Sequence, residues 1–166
     1  SGAAATTNAI AERLDVAPAS ASNMVKKLAR LKLVDHTPYH GVALTPGGEK
    51  IALEVVRHHR LIELYLARHL GISLDRVDAE ADRLEHVISE ELEERIARSL
   101  GEPTHDPHGD PIPTRDGAVD NVQHPLLSEL QPGQRGVVAR VSDHDPAVLR
   151  GLAELHLVPG VAVQVT

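Results

Sequence analysis

Two short stretches concentrate side chains able to hold a metal ion. Asp78 to Val87 reads DAEADRLEHV, four carboxylates and one histidine in ten residues. Arg57 to Leu64 reads RHHRLIEL and carries His58, His59 and Glu63. On a helix advancing about 100° per residue, Val77, Ala81, Leu84 and Ile88 make one apolar stripe. Glu85, Asp78, Asp82 and His86 then fall at about 80, 100, 140 and 180° from Val77, a continuous stripe expected at the margin of the core. Glu80 and Arg83 point toward solvent.

The preceding helix repeats the anomaly. Ala52, Val55, Val56, Ile62, Leu66 and Leu70 define its apolar face, with His59 at the centre and Glu63 one turn further on. A charged Glu on an apolar face is costly unless it is paired or bound to metal. His58 is expected to turn aside to the surface. Imidazole nitrogen and carboxylate oxygen together suit Mn, Fe, Co or Zn, and a chain without cysteine leans toward harder ions such as Mn(II). Acids gathered beside one another also need a cation to offset their repulsion.

Two other readings stand beside this one. The acids would be a structural patch if Arg57 or Arg60 paired with them. A carboxylate-bridged di-metal enzyme would need Glu-x-x-His pairs on a four-helix bundle, and no such pair occurs on these helices. There is no nucleophile elbow and no phosphate loop, so no enzyme chemistry is indicated. His105, His108 and His124 lie in a Pro-rich stretch and are expected to be solvent or turn residues.

The elements that must position these groups follow from punctuation and periodicity. A helix is expected from Asn8 to Leu14, capped by Thr6 or Thr7. After DVAPAS, a second runs from Ala19 to Leu31 with Pro18 near its start. Leu33-Val34 and Val42-Ala43-Leu44 flank the turn cluster TPYHG and predict a small hairpin. Helix, turn, helix and hairpin describe a winged helix. A long helix follows from Gly48 to Leu70, stopped by Gly71. Ser73 and Ser89 cap the next two, the last ending at Leu100 before Gly101. GEPTHDPHGDPIPTRDGAVDNVQHP reads as loop and linker. Beyond it, GVVARV and VAVQV predict strands and Pro146 to Leu155 a helix. The opening SGAAA reads as a cut or added end.

Charge divides the chain. The net charge is -7, yet residues 1–70 carry nine Lys/Arg against six Asp/Glu, and residues 71–166 carry eight against eighteen. A basic first part suits phosphate and an acidic second part suits cations. In the second helix Ala21, Val25, Leu28 and Leu31 are expected to face the core, while Ser20, Asn23, Lys27 and Arg30 share another stripe. Small polar groups at the start of such a helix reach base edges, and later Lys and Arg reach phosphates. Ser22, Lys26 and the wing-tip His40, next to Tyr39, complete the candidate DNA contacts. No apolar run approaches the ~20 residues of a membrane span, there is no secretory leader, and the absence of cysteine fits a reducing cytoplasm.

Four stretches, IAERLDVAPASASNMVKKL, RHHRLIEL, DAEADRLEHVISEELEERI and DPHGDPIP, resemble the diphtheria toxin repressor and manganese transport regulator family of metal-dependent transcriptional regulators. The tail LSELQPGQRGVVARVSDHDPAVLRGLAELHLVPG looks like the SH3-like, iron-transport-A-like module that such repressors append. The resemblance implies a mainly α chain with small β. It would comprise a winged helix-turn-helix over residues 1–54, a helical metal-binding and dimerisation domain over 55–120, a linker at 121–126 and a truncated SH3-like module over 127–166. It implies an ancillary metal site at His59, Glu63 and Asp78 and a primary site at Asp82, Glu85 and His86, with Asp143 or Asp145 as weaker additions. The Asp82 position is cysteine in many iron sensors, so an acid there favours Mn(II), with Fe(II) as the alternative and Zn(II) or Co(II) as substitutes in vitro. The family's helix ahead of the winged helix supplies primary-site ligands and phosphate contacts. Only SGAAA precedes TTNAIAERL here, so that site is expected to be partly built. The expected function is a cytoplasmic homodimer that binds palindromic operator DNA when metal-loaded and represses metal-uptake genes. A winged-helix regulator without metal response is the nearest alternative, and a metalloenzyme the more distant one.

Overall fold

The structure, a computed structural model, describes residues 4–37, 41–120, 122–141 and 145–166. It divides into two units, Ser1–Leu53 and Glu54–Thr166.

In the first unit, α1 (Thr7–Arg13) begins where the Thr6 hydroxyl accepts a hydrogen bond from the Ala9 amide. Helix α2 (Pro18–Arg30) opens on Pro18, whose missing N–H costs nothing at a helix start. Strands β1 (Val34–Thr37) and β2 (Gly41–Leu44) pair antiparallel, Val34 opposite Leu44 and Thr37 opposite Gly41. Ala5 adds a third short edge by exchanging both backbone hydrogen bonds with Val42. Val25, Val34 and Val42 form the core, with Ile10 and Ala29 against them. The buried stripe of α2 runs through Ala21 and Val25, while Leu28 and Leu31 are 38 % and 59 % exposed, contrary to the core positions expected of them. Leu28 lies on the same stripe, so burial of that stripe ends before the last turn of α2. Thr45 starts α3 (Pro46–Leu70), accepting from the Gly48 amide and donating to the Lys32 carbonyl. Gly48 is required: a Cβ there would meet the Leu33 carbonyl oxygen at 1.9 Å.

In the second unit, α3 is buried on two faces rather than one. Ile62 and Leu66 pack with Val77 and Ala81 of α4 (Leu74–Leu84). Leu61 and Leu64 pack with Ile96, Ala97 and Leu100 of α5 (Glu90–Ser99) and its end, and with Ile112. Expecting a single apolar face overlooked Leu61 and Leu64 and included Leu70, which is exposed. Ser89 caps α5 by accepting from the Leu92 amide.

The Pro-rich segment after α5 is not a free linker. Asp106, His108, Asp110 and Ile112 are buried. The segment turns back on itself through hydrogen bonds from the Asp106 amide to the Asp110 carbonyl and from the Ile112 amide to the Thr104 carbonyl. Arg60 and Arg57 of α3 donate to the carbonyls of Pro111 and Pro113. Gly109, at φ +89°, lies so close to the Ala139 carbonyl that a Cβ would stand 2.0 Å from it.

The C-terminal module holds β3 (Arg135–Val137), α6 (Pro146–Glu154) and β4 (Ala162–Gln164), with β3 and β4 antiparallel. It joins the loop through the Val141 amide and the His108 carbonyl, and α4 through Arg150 and Asp75. No helix among the described residues is long and apolar enough to cross a membrane.

Candidate metal centre

His59 is the hub. One side of its ring faces Glu85, with Nδ1 2.7 Å from Oε2. The other side faces Asp78 Oδ1 at 3.3 Å and Glu63 Oε1 at 3.6 Å, both from Nε2. Two groups of potential ligands therefore share one imidazole: His59 with Asp82 and Glu85, and His59 with Glu63 and Asp78. Asp78 and Asp82 project from α4 one turn apart, Glu85 from the turn that ends it, and His59 and Glu63 from successive turns of α3. Burial pulls the His59 imidazole down, but the hydrogen bonds and charges of Glu63 and Glu85 outweigh it and raise its pKa from 6.5 to about 9.

Five of the six expected ligands are thus brought together: His59, Glu63, Asp78, Asp82 and Glu85. His86 is not among them. Its Nε2 lies 3.3 Å from Glu85, but its side chain is 71 % exposed. The reason is local: α4 stops at Leu84, so the helical angle drawn through His86 no longer applies.

A third group was not expected from the sequence. Glu63, Asp106 and His108 are all buried and their ligand atoms converge. His108 is fully buried, its Nδ1 3.4 Å from Glu63 Oε1 and without a hydrogen-bond partner among the described residues. Its Nε2 faces the Leu74 carbonyl at 3.2 Å, which orients the ring. Asp106 is held by the amides of His108 and Asp110, both bonded to its Oδ1. Burial and the nearby Glu63 charge push its carboxyl up from 3.8 to about 7. His108 does sit in a turn, as expected, but it is buried rather than turned to solvent. The signal available was the acid-Pro-His-Gly-acid order, in which Asp106 builds an Asx turn that points His108 inward.

His58 also departs from the surface position expected of it. It is buried rather than turned to the surface, with Nε2 2.8 Å from Glu93 Oε2. The two arginines considered as partners for the acidic cluster are engaged elsewhere. Arg57 bonds Glu93 at 2.6 Å, and Arg60 stands near Asp106 and Asp110 in the loop.

The donor set fits a divalent cation. It is imidazole and carboxylate without sulfur, several acids share a small volume, and a fully buried imidazole nitrogen has no hydrogen-bond partner among the described residues. Asp145, a weaker candidate, caps α6 by accepting from the Ala147 amide. Asp143 lies outside the described residues.

On α2, Ser20, Asn23, Lys26, Lys27 and Arg30 are exposed and Ser22 is half-buried. The wing-tip candidate His40 lies outside the described residues.

The chain is similar to known proteins along its whole length. Residues 1–42 match the profile of the iron dependent repressor N-terminal DNA binding domain. Residues 45–114 match that of the iron dependent repressor metal binding and dimerisation domain, and residues 126–166 the FeoA domain. The chain is 33% identical over 168 residues to the iron-dependent repressor IdeR of Mycobacterium tuberculosis, covering 94% of this chain and 73% of that protein. It is 39% identical over 104 residues to the diphtheria toxin repressor of Corynebacterium efficiens, 63% of this chain and 45% of that protein. Among solved structures, a manganese-dependent transcriptional repressor in complex with manganese is 41% identical at a TM-score of 0.87, covering 99% of this chain and 75% of the other.

Proposed function

From the premise that this chain belongs to the iron-dependent repressor family of metal-dependent DNA-binding transcriptional repressors, we propose that it is a manganese-responsive member. In this reading it acts in the cytoplasm as a homodimer, binds palindromic operator DNA when metal-loaded, and represses metal-uptake genes. The family consists of transcriptional repressors and not enzymes.

The observation that carries the metal reading is the double-sided environment of His59, with Glu85 on Nδ1 and Asp78 and Glu63 on Nε2. A divalent cation held there supplies the positive charge that lets these acids be ionised side by side. His59, Asp82 and Glu85 would hold one ion, and Glu63 with Asp106 and His108, or with His59 and Asp78, another. His86 serves only if its exposed ring swings inward. All these donors are hard or borderline, which favours Mn(II), with Fe(II) as the alternative; Zn(II) and Co(II) bind such donors tightly in vitro.

The exposed stripe Ser20, Asn23, Lys27 and Arg30 would face the major groove, and two such helices in a dimer would reach successive grooves about one turn apart. Metal and operator then tighten each other's binding by the same factor, since linkage is reciprocal. The test is a titration of the protein with Mn(II), Fe(II) and Zn(II) while binding to its own upstream promoter DNA is measured. Mn(II) is expected to strengthen binding, and chelator to reverse it. Equal affinity with and without metal overturns the reading and leaves a winged-helix regulator whose acids are structural.

A further inference from the structure

Away from the His59 clusters, another set of ligating groups converges between α3 and α5. Glu54 and His58 lie one helical turn apart on α3, and Glu90 is the first residue of α5. One ligand atom from each falls within 4.8 Å of the others. Acids near a histidine are common and mean little alone. The independent observation is the state of His58. Its side chain is only 10 % exposed, and its buried Nε2 makes no hydrogen bond among the described residues. That nitrogen stands 3.5 Å from Glu90 Oε1 at the edge of the cluster and 2.8 Å from Glu93 Oε2 beside it, aligned for a hydrogen bond with neither. Burying a polar atom without a hydrogen bond is costly, and a cation at this nitrogen would relieve that cost.

The neighbouring charges leave room for a cation. Glu93 is neutralised by Arg57, which bonds its Oε1 at 2.6 Å and turns its other nitrogen to the Pro113 carbonyl. Glu54 and Glu90 are both exposed, so their side chains are free to adjust toward metal–ligand distances of about 2.0–2.2 Å. His58 supplies the nitrogen and these two acids the oxygens; solvent fills the remaining positions.

We propose that Glu54, His58 and Glu90 form an additional site for a divalent transition-metal ion, separate from the His59 and His108 clusters. It would tie α3 to the first turn of α5. Its donor set, one imidazole and two carboxylates with open positions, suits Zn(II), Co(II) or Mn(II).

The test counts Zn(II) bound per full-length chain by equilibrium dialysis. The variants are E54Q/E90Q, which alters only exposed groups, and H58Q. A D78A/D82A protein, weakened in the His59 clusters, receives the same E54Q/E90Q change. The proposal expects E54Q/E90Q and H58Q each to bind one equivalent fewer than wild type. The same single loss should appear in the D78A/D82A background. The metal-free urea midpoint of E54Q/E90Q should stay unchanged. A Zn(II) count equal to wild type in E54Q/E90Q overturns the site. So does a loss that is absent from the D78A/D82A background, because the equivalent then belonged to the His59 clusters.

Discussion

The Glu63 carboxylate lies 3.4 Å from Nδ1 of His108, and the same oxygen lies 3.6 Å from Nε2 of His59. One buried acid therefore serves two clusters, one built by α3 and α4 and one by the loop after α5. Glu63→Gln keeps the volume and removes the charge from both. It should weaken Mn(II) binding by tenfold or more, and further than Asp78→Ala or Asp106→Asn alone. Isothermal titration of the three variants checks this. An affinity for E63Q within about twofold of wild type would show that the acid is structural.

The metal-free protein should lose stability as pH rises. His59 holds its proton more tightly in the fold than in the unfolded chain, because Glu63 and Glu85 overcome the effect of burial and raise it from 6.5 to about 9. Its contribution is complete below pH 6.5 and is gone above about 9, with a ceiling of about 3 kcal/mol at 1.36 kcal/mol per pH unit. Asp106 acts with the same sign at lower pH. Burial first, and then the Glu63 charge, raise it from 3.8 to about 7, so ionising it across that window disfavours the fold. With chelator present, the urea midpoint should fall between about pH 5 and pH 9. Saturating Mn(II) should oppose that fall, since each proton displaced by metal tightens binding about tenfold per pH unit. A chelated protein whose midpoint climbs between pH 7 and 9 would contradict the assigned charge states.

Much of this centre was legible because it sits on helices. His59 and Glu63 stood out as polar groups on an apolar stripe, and a 3.6-residue period put Asp78 and Asp82 beside the Val77–Ala81 core. Legibility failed where the period stopped. His86 lies past the end of α4, so its helical angle had no meaning. Asp106 and His108 sit in irregular backbone, where burial leaves no periodic trace, and Pro-rich composition argued for a linker. His58 was lost for another reason: α3 is covered on two faces, and reading only one made the other look like surface. The winged-helix unit was legible from turn and cap residues, but Leu28 and Leu31 show that apolar spacing alone does not say how far along a stripe burial continues.

The α2 stripe separates positioning from readout. Lys27 is exposed, so Lys27→Ala should leave the fold intact and weaken DNA binding uniformly across sequences, reducing the salt slope by about one. Asn23→Ala should instead cost about 1–3 kcal/mol at the base pairs it reads and relax preference there. Fluorescence anisotropy over a salt series, with promoter and scrambled duplexes, distinguishes the two. Identical losses on both duplexes for Asn23→Ala would place it on the backbone rather than on a base edge.

Arg57 and Glu93 make a buried ion pair, with side chains only 14 % and 6 % exposed and Nε 2.6 Å from Oε1. The pair joins α3 to α5, and the second Arg57 nitrogen carries the link to the loop at Pro113. Desolvating two charges offsets much of their attraction, so the pair adds little net stability over a well-packed apolar pair. Removing one partner is different, because the other charge stays buried with only His58 beside Glu93, or only the Pro113 carbonyl beside Arg57. Arg57→Ala and Glu93→Ala should therefore each cost about 3–5 kcal/mol. The double variant Arg57→Leu/Glu93→Leu should cost less than either single change, although it still loses the Pro113 hydrogen bond. Urea unfolding of the metal-free protein at one pH checks all three. If the double variant proves the least stable, the pair contributes through its own attraction and not through the penalty of leaving one charge alone.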